Sequence, residues 1–136
     1  MAYSILYIED NPDNMLLVQR ALEARGYGFL WAPDGLTGVA LANAEHPDLI
    51  LLDINLPDID GYEVVRRLRS DHNNGLLYVP IIAITANALK DDADKALAAG
   101  CDVYMSKPIN IRELWARVAG FLPDSEIAVT AGAKAT

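Results

Sequence analysis

Residues 48–53 have the sequence Asp48-Leu49-Ile50-Leu51-Leu52-Asp53, and the turn-rich stretch Ile54-Asn55-Leu56-Pro57-Asp58-Ile59-Asp60-Gly61 follows at once. A nearly continuous apolar run, bounded by Pro47 in front and turn residues behind, predicts a parallel strand buried on both faces. Asp53 then lies at the carboxyl end of that strand, where open α/β sheets bind ligands and carry out chemistry. An aspartate after a strand is also a common helix cap or turn former, so Asp53 alone does not establish a site.

Composition limits the class of protein. The chain has 136 residues, which suits one compact domain. Its composition, with 52% hydrophobic and 22% charged residues, favours a globular fold over disorder. No apolar run approaches the roughly 20 residues of a membrane span. The amino terminus lacks a basic leader, and Glu9 and Asp10 interrupt its apolar run, so we expect a cytoplasmic protein rather than a secreted one.

The net charge of −8 argues against nucleic acid as a partner, because phosphate backbones require a basic surface that 11 scattered Lys and Arg residues do not obviously make. We therefore expect binding to neither nucleic acid nor membranes. Cys101 is the only cysteine, so an internal disulfide is excluded. Its place in an apolar segment favours core filling over a reactive thiol.

Short apolar runs alternate with helical patterns five times along the chain. Strands are predicted at residues 4–8, 29–32, 48–53, 80–85 and 101–105. Helices are predicted at residues 14–25, 61–70, 86–99 and 111–122, and a further helix follows the turn at residues 33–35 and runs through residue 44. This alternation predicts an α/β fold, a parallel sheet with helices on both faces joined by right-handed crossovers. Residues 1–122 form the predicted domain, and residues 123–136, which are small, polar and alanine-rich, are expected to form a flexible tail.

The helical patterns assign faces to individual side chains. In the first helix the predicted inward face comprises Leu17, Val18, Ala21 and Leu22. Leu16, beside Met15, points to the opposite side, either as an ordinary exposed residue or as part of a docking patch. In helix 61–70 the predicted outward, solvated face comprises Arg66, Arg67 and Arg69. Gly26 and Gly100 are predicted to close their helices, and Asn110 to cap the last one.

Polar side chains collect at the predicted strand ends. Glu9 and Asp10 follow the first strand, Asp53 ends the third, Thr85 ends the fourth, and Lys107 follows the fifth. Because parallel strands end at one edge of a sheet, we expect these side chains to lie together there. Each alone has a simpler explanation, since acids are common near helix starts, a strand-end lysine is usually solvated, and threonine is a common strand residue.

Three carboxylates at one edge repel one another and stay ionised most easily with a cation between them. Oxygen ligands from Asp10, Asp53 and a backbone carbonyl in the following turn suit Mg²⁺, which keeps several waters. An ionised aspartate can attack phosphorus without a general base, which predicts an aspartyl phosphate at Asp53. Lys107 offers a positive charge to one phosphoryl oxygen and Thr85 a hydroxyl to another, so that these residues together form a set for phosphoryl transfer.

In these residues the chain resembles the receiver domains of response regulators, similar to the stand-alone receivers of chemotaxis, sporulation-relay and cell-cycle signalling. The resemblance covers residues 4–122. It rests on the segments Glu9-Asp10-Asn11, Asp53-Ile54-Asn55-Leu56-Pro57 to Gly61, Thr85-Ala86 and Lys107-Pro108, each at the end of the expected strand. It implies a flavodoxin-like (βα)5 fold with a five-stranded sheet in the order 2-1-3-4-5.

The resemblance also implies a role for each matching residue. Asp53 is the implied phosphoacceptor, and Lys107 and Thr85 are the implied phosphoryl contacts. The implied Mg²⁺ ligands are Glu9, Asp10, Asp53 and the backbone carbonyl of Asn55. Tyr104 matches the family's switch aromatic, which turns inward when Thr85 moves onto the phosphoryl group, and a cis peptide bond is implied before Pro108.

The implied function is that of a single-domain response regulator in two-component signalling. It would receive a phosphoryl group from a histidine kinase or a histidine phosphotransfer protein and act, without an output domain, by contact with a downstream protein or by onward transfer. Phosphorylation would favour the conformer in which Thr85 and Tyr104 are drawn inward, and the loosely anchored, alanine-rich helix 86–99 is the element expected to move. We expect a monomer or weak dimer, in which Met15 and Leu16 contact a helix of the kinase or phosphotransfer protein.

Three other functions fit parts of the pattern. A Mg²⁺-dependent phosphatase or mutase of the haloacid dehalogenase type also forms an aspartyl phosphate, but it carries a second Asp where this chain has Asn55, so we do not expect a turnover enzyme. A flavin-binding module of the same fold needs a phosphate-binding loop after the first strand, where Glu9 and Asp10 would repel phosphate. A degenerate receiver that binds partners without phosphorylation is disfavoured because every expected site residue is present.

Overall fold

The computed structural model describes residues 2–70, 75–86 and 90–122, and the predicted tail at 123–136 lies outside the described residues. Within the described ranges five strands alternate with five helices. The strands are β1 Ser4–Ile8, β2 Gly28–Ala32, β3 Leu49–Asp53, β4 Ile81–Thr85 and β5 Val103–Ser106. The helices are α1 Pro12–Glu23, α2 Gly35–Glu45, α3 Gly61–Ser70, α4 Lys90–Ala99 and α5 Ile111–Phe121.

The strands form one parallel sheet in the order β2-β1-β3-β4-β5, which confirms the predicted topology. β3 lies in the middle and is buried along its whole length, as expected for a strand covered on both faces. Since all strands run in the same direction, the ends of β1, β3, β4 and β5 meet at one edge of the sheet, which we call the carboxyl edge. Segments far apart in the sequence therefore become neighbours there.

Side chains alternate along each strand between two hydrophobic clusters, one on each face of the sheet. In β1, Leu6 and Ile8 join the cluster under α2, α3 and α4, whereas Ile5 and Tyr7 join the cluster under α1 and α5. Helices on both faces were predicted, and the structure confirms them. Among the described residues, none of the helices is both long and apolar enough to cross a membrane.

Asparagine side chains begin the two helices that lead away from β1 and β5. Asn11 Oδ1 accepts the backbone N–H of Asp13 at 2.8 Å and that of Asn14 at 3.1 Å. Asn110 accepts the N–H of Glu113 at 3.0 Å, which confirms the predicted cap of α5. Both caps satisfy amides that have no partner in the first helical turn, and they fix where the chain turns at the carboxyl edge.

α1 spans Pro12–Glu23 rather than the predicted 14–25. Pro12 occupies the start of the helix, where its missing N–H costs nothing, and Asn11 rather than a later residue is the cap. The helical residues end at Glu23, and Gly26 closes the helix as predicted, since its N–H donates to the carbonyl of Glu23 at 3.0 Å and that of Tyr27 donates to the carbonyl of Leu22 at 3.1 Å. Gly26 has a φ of 84°, the left-handed conformation that glycine adopts most readily at the end of a helix.

Several later boundaries also differ from their predictions, among them those of α4 and β5. The helix predicted from residue 86 does not include Ala86, which is not helical; α4 is described over Lys90–Ala99, and residues 87–89 lie outside the described ranges. Gly100 follows α4 with a φ of 118°, as its predicted position at the helix end requires. β5 begins at Val103 rather than at Cys101, which is a buried, free cysteine in the first cluster and therefore fills the core as predicted.

The predicted inward orientation of Leu17 is wrong. Val18, Ala21 and Leu22 are buried, but Leu17 is 45% exposed. At 100° per residue Leu17 lies at the margin of the buried stripe, and sequence periodicity does not show on which side of that margin a side chain falls. Leu16 is 41% exposed, as predicted, so two adjacent leucines of α1 face solvent.

The predicted outward orientation of Arg69 is also wrong. Arg66 and Arg67 are exposed and pair with Glu63 within α3. Arg69 turns inward, and its guanidinium donates at 2.7–3.3 Å to the carbonyls of Leu76, Leu77, Val79 and Gly100 and to the carboxylate of Asp102. These acceptors belong to loops and strand starts, which helical periodicity does not reveal.

Candidate functional site

Three carboxylates meet at the carboxyl edge. Asp53 is the last residue of β3, and Glu9 and Asp10 follow β1, its neighbour in the sheet. Each contributes an oxygen to a group whose members all lie within 4.8 Å of one another. Glu9 and Asp53 are each 1% exposed, whereas Asp10 is exposed. The structure thus brings together the three acids that the sequence places at strand ends.

Lys107 contacts this acidic cluster from the far side of β4. Its Nζ lies 2.7 Å from Asp53 Oδ2 and 3.5 Å from Glu9 Oε2. The backbone N–H of Lys107 donates to the carbonyl of Thr85 at 2.8 Å, and the Lys107–Pro108 peptide bond is cis, as the resemblance implies. Burial lowers the pKa of Lys107, but its contacts with Asp53 and Glu9 outweigh burial and raise that pKa, so the amine stays charged.

The carboxylate of Glu9 is enclosed and surrounded by hydrogen-bond donors. The hydroxyl of Tyr7 donates to Oε2 at 3.1 Å, the N–H of Asn11 donates to Oε1 at 3.2 Å, and the amide of Asn14 lies 3.5 Å from the same oxygen. Burial, reinforced by the nearby Asp53 carboxyl, raises the pKa of Glu9 to about 7. Glu9 therefore titrates near neutral pH, where an added cation favours its ionised form.

The loop after β3 holds Asp53 in place. The N–H of Asn55 donates to Asp53 Oδ1 at 2.9 Å, so both carboxylate oxygens have a donor when the contact of Oδ2 with Lys107 is included. Gly61 closes the loop by donating its N–H to the carbonyl of Ile54 at 2.9 Å. A Cβ at Gly61 would lie 2.7 Å from the Cα of Ile54, so only glycine fits this approach.

Thr85 lies on β4, which neighbours β3, and Tyr104 lies on β5, which pairs with the other side of β4. Thr85 ends β4, is buried, and follows Ile84, the residue that pairs with Asp53 across the sheet. Tyr104 in β5 is half-buried and packs against the cluster under α2, α3 and α4. Their roles as phosphoryl contact and switch aromatic remain predictions, as does the Asn55 carbonyl as a metal ligand.

Sequence reasoning missed two residues at the site, Tyr7 and Trp31. Besides the Tyr7 hydroxyl at Glu9 Oε2, the indole Nε1 of Trp31 donates to the Glu9 carbonyl at 2.7 Å. One signal was available for Tyr7, because residues two apart in a strand project from the same face and Tyr7 therefore lies beneath Glu9. The Trp31 contact depends on the pairing of β1 with β2, for which the sequence holds no motif.

The donor set at this edge fits Mg²⁺. Its three acids offer only carboxylate oxygens, the ligand type that this ion prefers. Lys107 supplies one positive charge against three acids, which leaves negative charge for a cation to balance. Asp10 is exposed, so one side of the cluster is open to the waters that Mg²⁺ keeps.

A family model described as "Response regulator receiver domain" matches residues 5–119. Among curated proteins, the chain is similar to "Polar-differentiation response regulator DivK" of Brucella ovis. The two are 39% identical over 125 residues, which cover 92% of this chain and 100% of DivK. DivK of Brucella anthropi is 38% identical over the same shares of both chains.

Two solved structures share the fold at full domain length. The receiver domain of sensor histidine kinase PA1611 from Pseudomonas aeruginosa, with a magnesium ion coordinated in its active site cleft, is 37% identical with a TM-score of 0.80. That match covers 89% of this chain and 98% of the other. The receiver domain of Ssk1 from Saccharomyces cerevisiae, crystallised with the histidine phosphotransfer protein Ypd1, is 25% identical with a TM-score of 0.80 and covers 88% of each chain.

Proposed function

We propose that this chain, which belongs to the response regulator receiver domain family, accepts a phosphoryl group on the carboxylate of Asp53. The observation that carries the proposal is the contact of 2.7 Å between Asp53 and Lys107 within a cluster that also contains Glu9 and Asp10. This arrangement offers a nucleophile, a positive charge for phosphoryl oxygens and oxygen ligands for a divalent cation. Those are the parts that phosphoryl transfer requires.

In the proposed reaction, a carboxylate oxygen of Asp53 forms a bond to phosphorus while the bond between phosphorus and the donor atom breaks. The electron pair of the broken bond leaves with the donor, and the ionised carboxylate supplies its own pair, so no general base is needed. Lys107 binds one phosphoryl oxygen and the Thr85 hydroxyl donates to another. The product is an acyl phosphate on Asp53.

Glu9, Asp10 and Asp53 would hold Mg²⁺, with the backbone carbonyl of Asn55 as a further proposed ligand. When bound, the ion supplies positive charge that offsets both the cluster of acids and the incoming phosphoryl group. Two observations support this part of the proposal: the donor set contains only oxygen, and the similar receiver domain of PA1611 has magnesium in its cleft.

The proposed signal is a shift in population toward a conformer in which Thr85 and Tyr104 are drawn toward the phosphoryl group. That shift would reshape the surface formed by α4, β5 and α5. α4 is suited to move because its described buried side chains include Ala93 and Ala96, whose small apolar area holds the helix weakly.

The proposed phosphoryl donor is a histidine kinase or a histidine phosphotransfer protein. The similar receiver domain of Ssk1 was crystallised with such a protein, Ypd1. In this chain α1 begins directly after the acidic loop and exposes Leu16 and Leu17, which provide an apolar contact for a donor helix, with half-buried Met15 beside them.

We propose the cytoplasm as the compartment of this protein, because histidine kinases draw phosphoryl groups from ATP there. We propose a monomer or weak dimer as its oligomeric state.

We propose that the phosphorylated chain then binds a downstream protein or passes the phosphoryl group on, rather than turning over a small substrate. The test is incubation with Mg²⁺ and acetyl phosphate, followed by intact mass measurement beside the Asp53→Asn variant. Wild type should gain one phosphoryl group and the variant none. A phosphoryl group on Asp53→Asn would contradict the assignment, and sustained hydrolysis of p-nitrophenyl phosphate by wild type would favour a phosphatase instead.

A further inference from the structure

Tyr7 and Glu9 are neighbours on one side of the sheet. The ring of Tyr7 is fully buried in the cluster under α1 and α5, where it packs edge-on against Phe29 with the ring centroids 6.5 Å apart. Its buried hydroxyl lies at the carboxyl edge and donates to Glu9 Oε2 at 3.1 Å. A phenol anchored in this way has little freedom to turn, so it fixes the position of the oxygen that it contacts.

Trp31 holds the backbone of the same residue. It pairs with Tyr7 in the register between β1 and β2, and its indole Nε1 donates to the Glu9 carbonyl at 2.7 Å. The Glu9 N–H donates in turn to the carbonyl of Ala32 at 3.0 Å. Both backbone groups of Glu9 are therefore tied to β2, while its side chain is tied to Tyr7.

We propose that Tyr7 and Trp31 are positioning residues of the metal site, which hold Glu9 in the orientation that binds the divalent cation. This inference rests on the proposed function, because it concerns the same acidic cluster. Neither residue would be a ligand of the cation. Each acts through Glu9, in the way that groups hydrogen-bonded to metal ligands orient those ligands and raise metal affinity.

The chain contains a matched control for each residue. Tyr27 is also a buried tyrosine, and its hydroxyl donates to the carbonyl of Leu122 at 2.9 Å, but it lies just before β2, at the opposite edge of the sheet. Trp115, the only other tryptophan, donates its Nε1 to the carbonyl of Ala21 at 2.8 Å between α5 and α1. Tyr27→Phe and Trp115→Phe therefore remove hydrogen bonds of the same kinds away from the acidic cluster.

The measurement is the dissociation constant for Mn²⁺, a divalent cation that prefers the same oxygen ligands, from the electron paramagnetic resonance signal of the free ion. We expect Tyr7→Phe and Trp31→Phe each to weaken Mn²⁺ binding about tenfold. Tyr27→Phe and Trp115→Phe should bind Mn²⁺ as wild type does, although we expect both to be less stable than wild type in urea unfolding. Competition with Mg²⁺ checks that both ions share one site.

The outcomes separate this inference from the proposed function. Wild type that binds Mn²⁺, with Tyr7→Phe and Trp31→Phe unchanged in affinity, overturns the positioning role and leaves the metal site standing. Equal losses in the control variants overturn it as well, because they indicate general destabilisation. Wild type that binds neither ion overturns the proposed metal site and this inference together.

Discussion

The acidity of Glu9 depends strongly on its surroundings. It is 1% exposed and shares a cluster with two other acids, and burial is the main reason why its pKa rises from 4.5 to about 7. The folded protein therefore binds a proton at Glu9 more tightly than the unfolded chain does. The resulting stabilisation is complete below pH 4.5 and is lost as the pH rises through about 7.

At the residue scale we predict that the metal-free protein loses stability between about pH 5 and about pH 8, and that Glu9→Gln removes most of this loss because glutamine does not titrate. Urea unfolding over a pH series measures both. Added Mg²⁺ should reduce the loss in wild type, since the cation favours the ionised carboxylate. The same pH dependence in wild type and in Glu9→Gln would contradict the predicted role of Glu9.

Lys107 gives a second prediction at this scale. Its amine is the charged partner of both Asp53 and Glu9, so Lys107→Met leaves two buried carboxylates without it and should lower the free energy of unfolding by about 2 kcal/mol. Mg²⁺ should restore more stability to this variant than it adds to wild type. Lys95→Met, at an exposed position of α4, is the control. Equal effects of the two substitutions on stability would show that the contacts of Lys107 are weak.

At the scale of elements, the sequence predicted the strands and helices whose burial pattern is regular. The apolar run of β3 and the alternation of strands with helices gave the correct architecture, because continuous or periodic burial is visible in the sequence. The orientation of side chains at the margin of a helix face was harder to predict. Leu17 faces solvent although it adjoins the buried stripe, and Arg69 turns inward because its acceptors come from other elements.

Arg69 connects the end of α3 to the segment before β4 and to the start of β5. Arg69→Gln removes this set of hydrogen bonds to partly enclosed carbonyls, so we predict a loss of about 3 kcal/mol in the free energy of unfolding. Arg66→Gln is the matched control on the same helix, and it should change stability little because Arg66 is exposed. Urea unfolding of both variants measures the difference, and similar losses would refute the structural role of Arg69.

At the scale of the whole molecule, the site is a product of topology. The sheet order places β1, β3, β4 and β5 side by side, so Glu9, Asp53 and Lys107 meet although they are far apart in the sequence. This much was predictable, because strand ends share one edge of any parallel sheet. The donors around Glu9 were not, because Tyr7 and Trp31 reach it through strand register and side-chain orientation that no motif records.

The central claim is that Asp53 carries the phosphoryl group, and chemical mapping of the acyl phosphate tests it most directly. Borohydride reduces an aspartyl phosphate to homoserine, which peptide mass spectrometry locates in the chain. After incubation with Mg²⁺ and acetyl phosphate, we predict homoserine at position 53 and at no other acid, with none formed when acetyl phosphate is omitted. Homoserine at Glu9's neighbour Asp10 or elsewhere, or a phosphorylated protein that yields no homoserine, would contradict the claim.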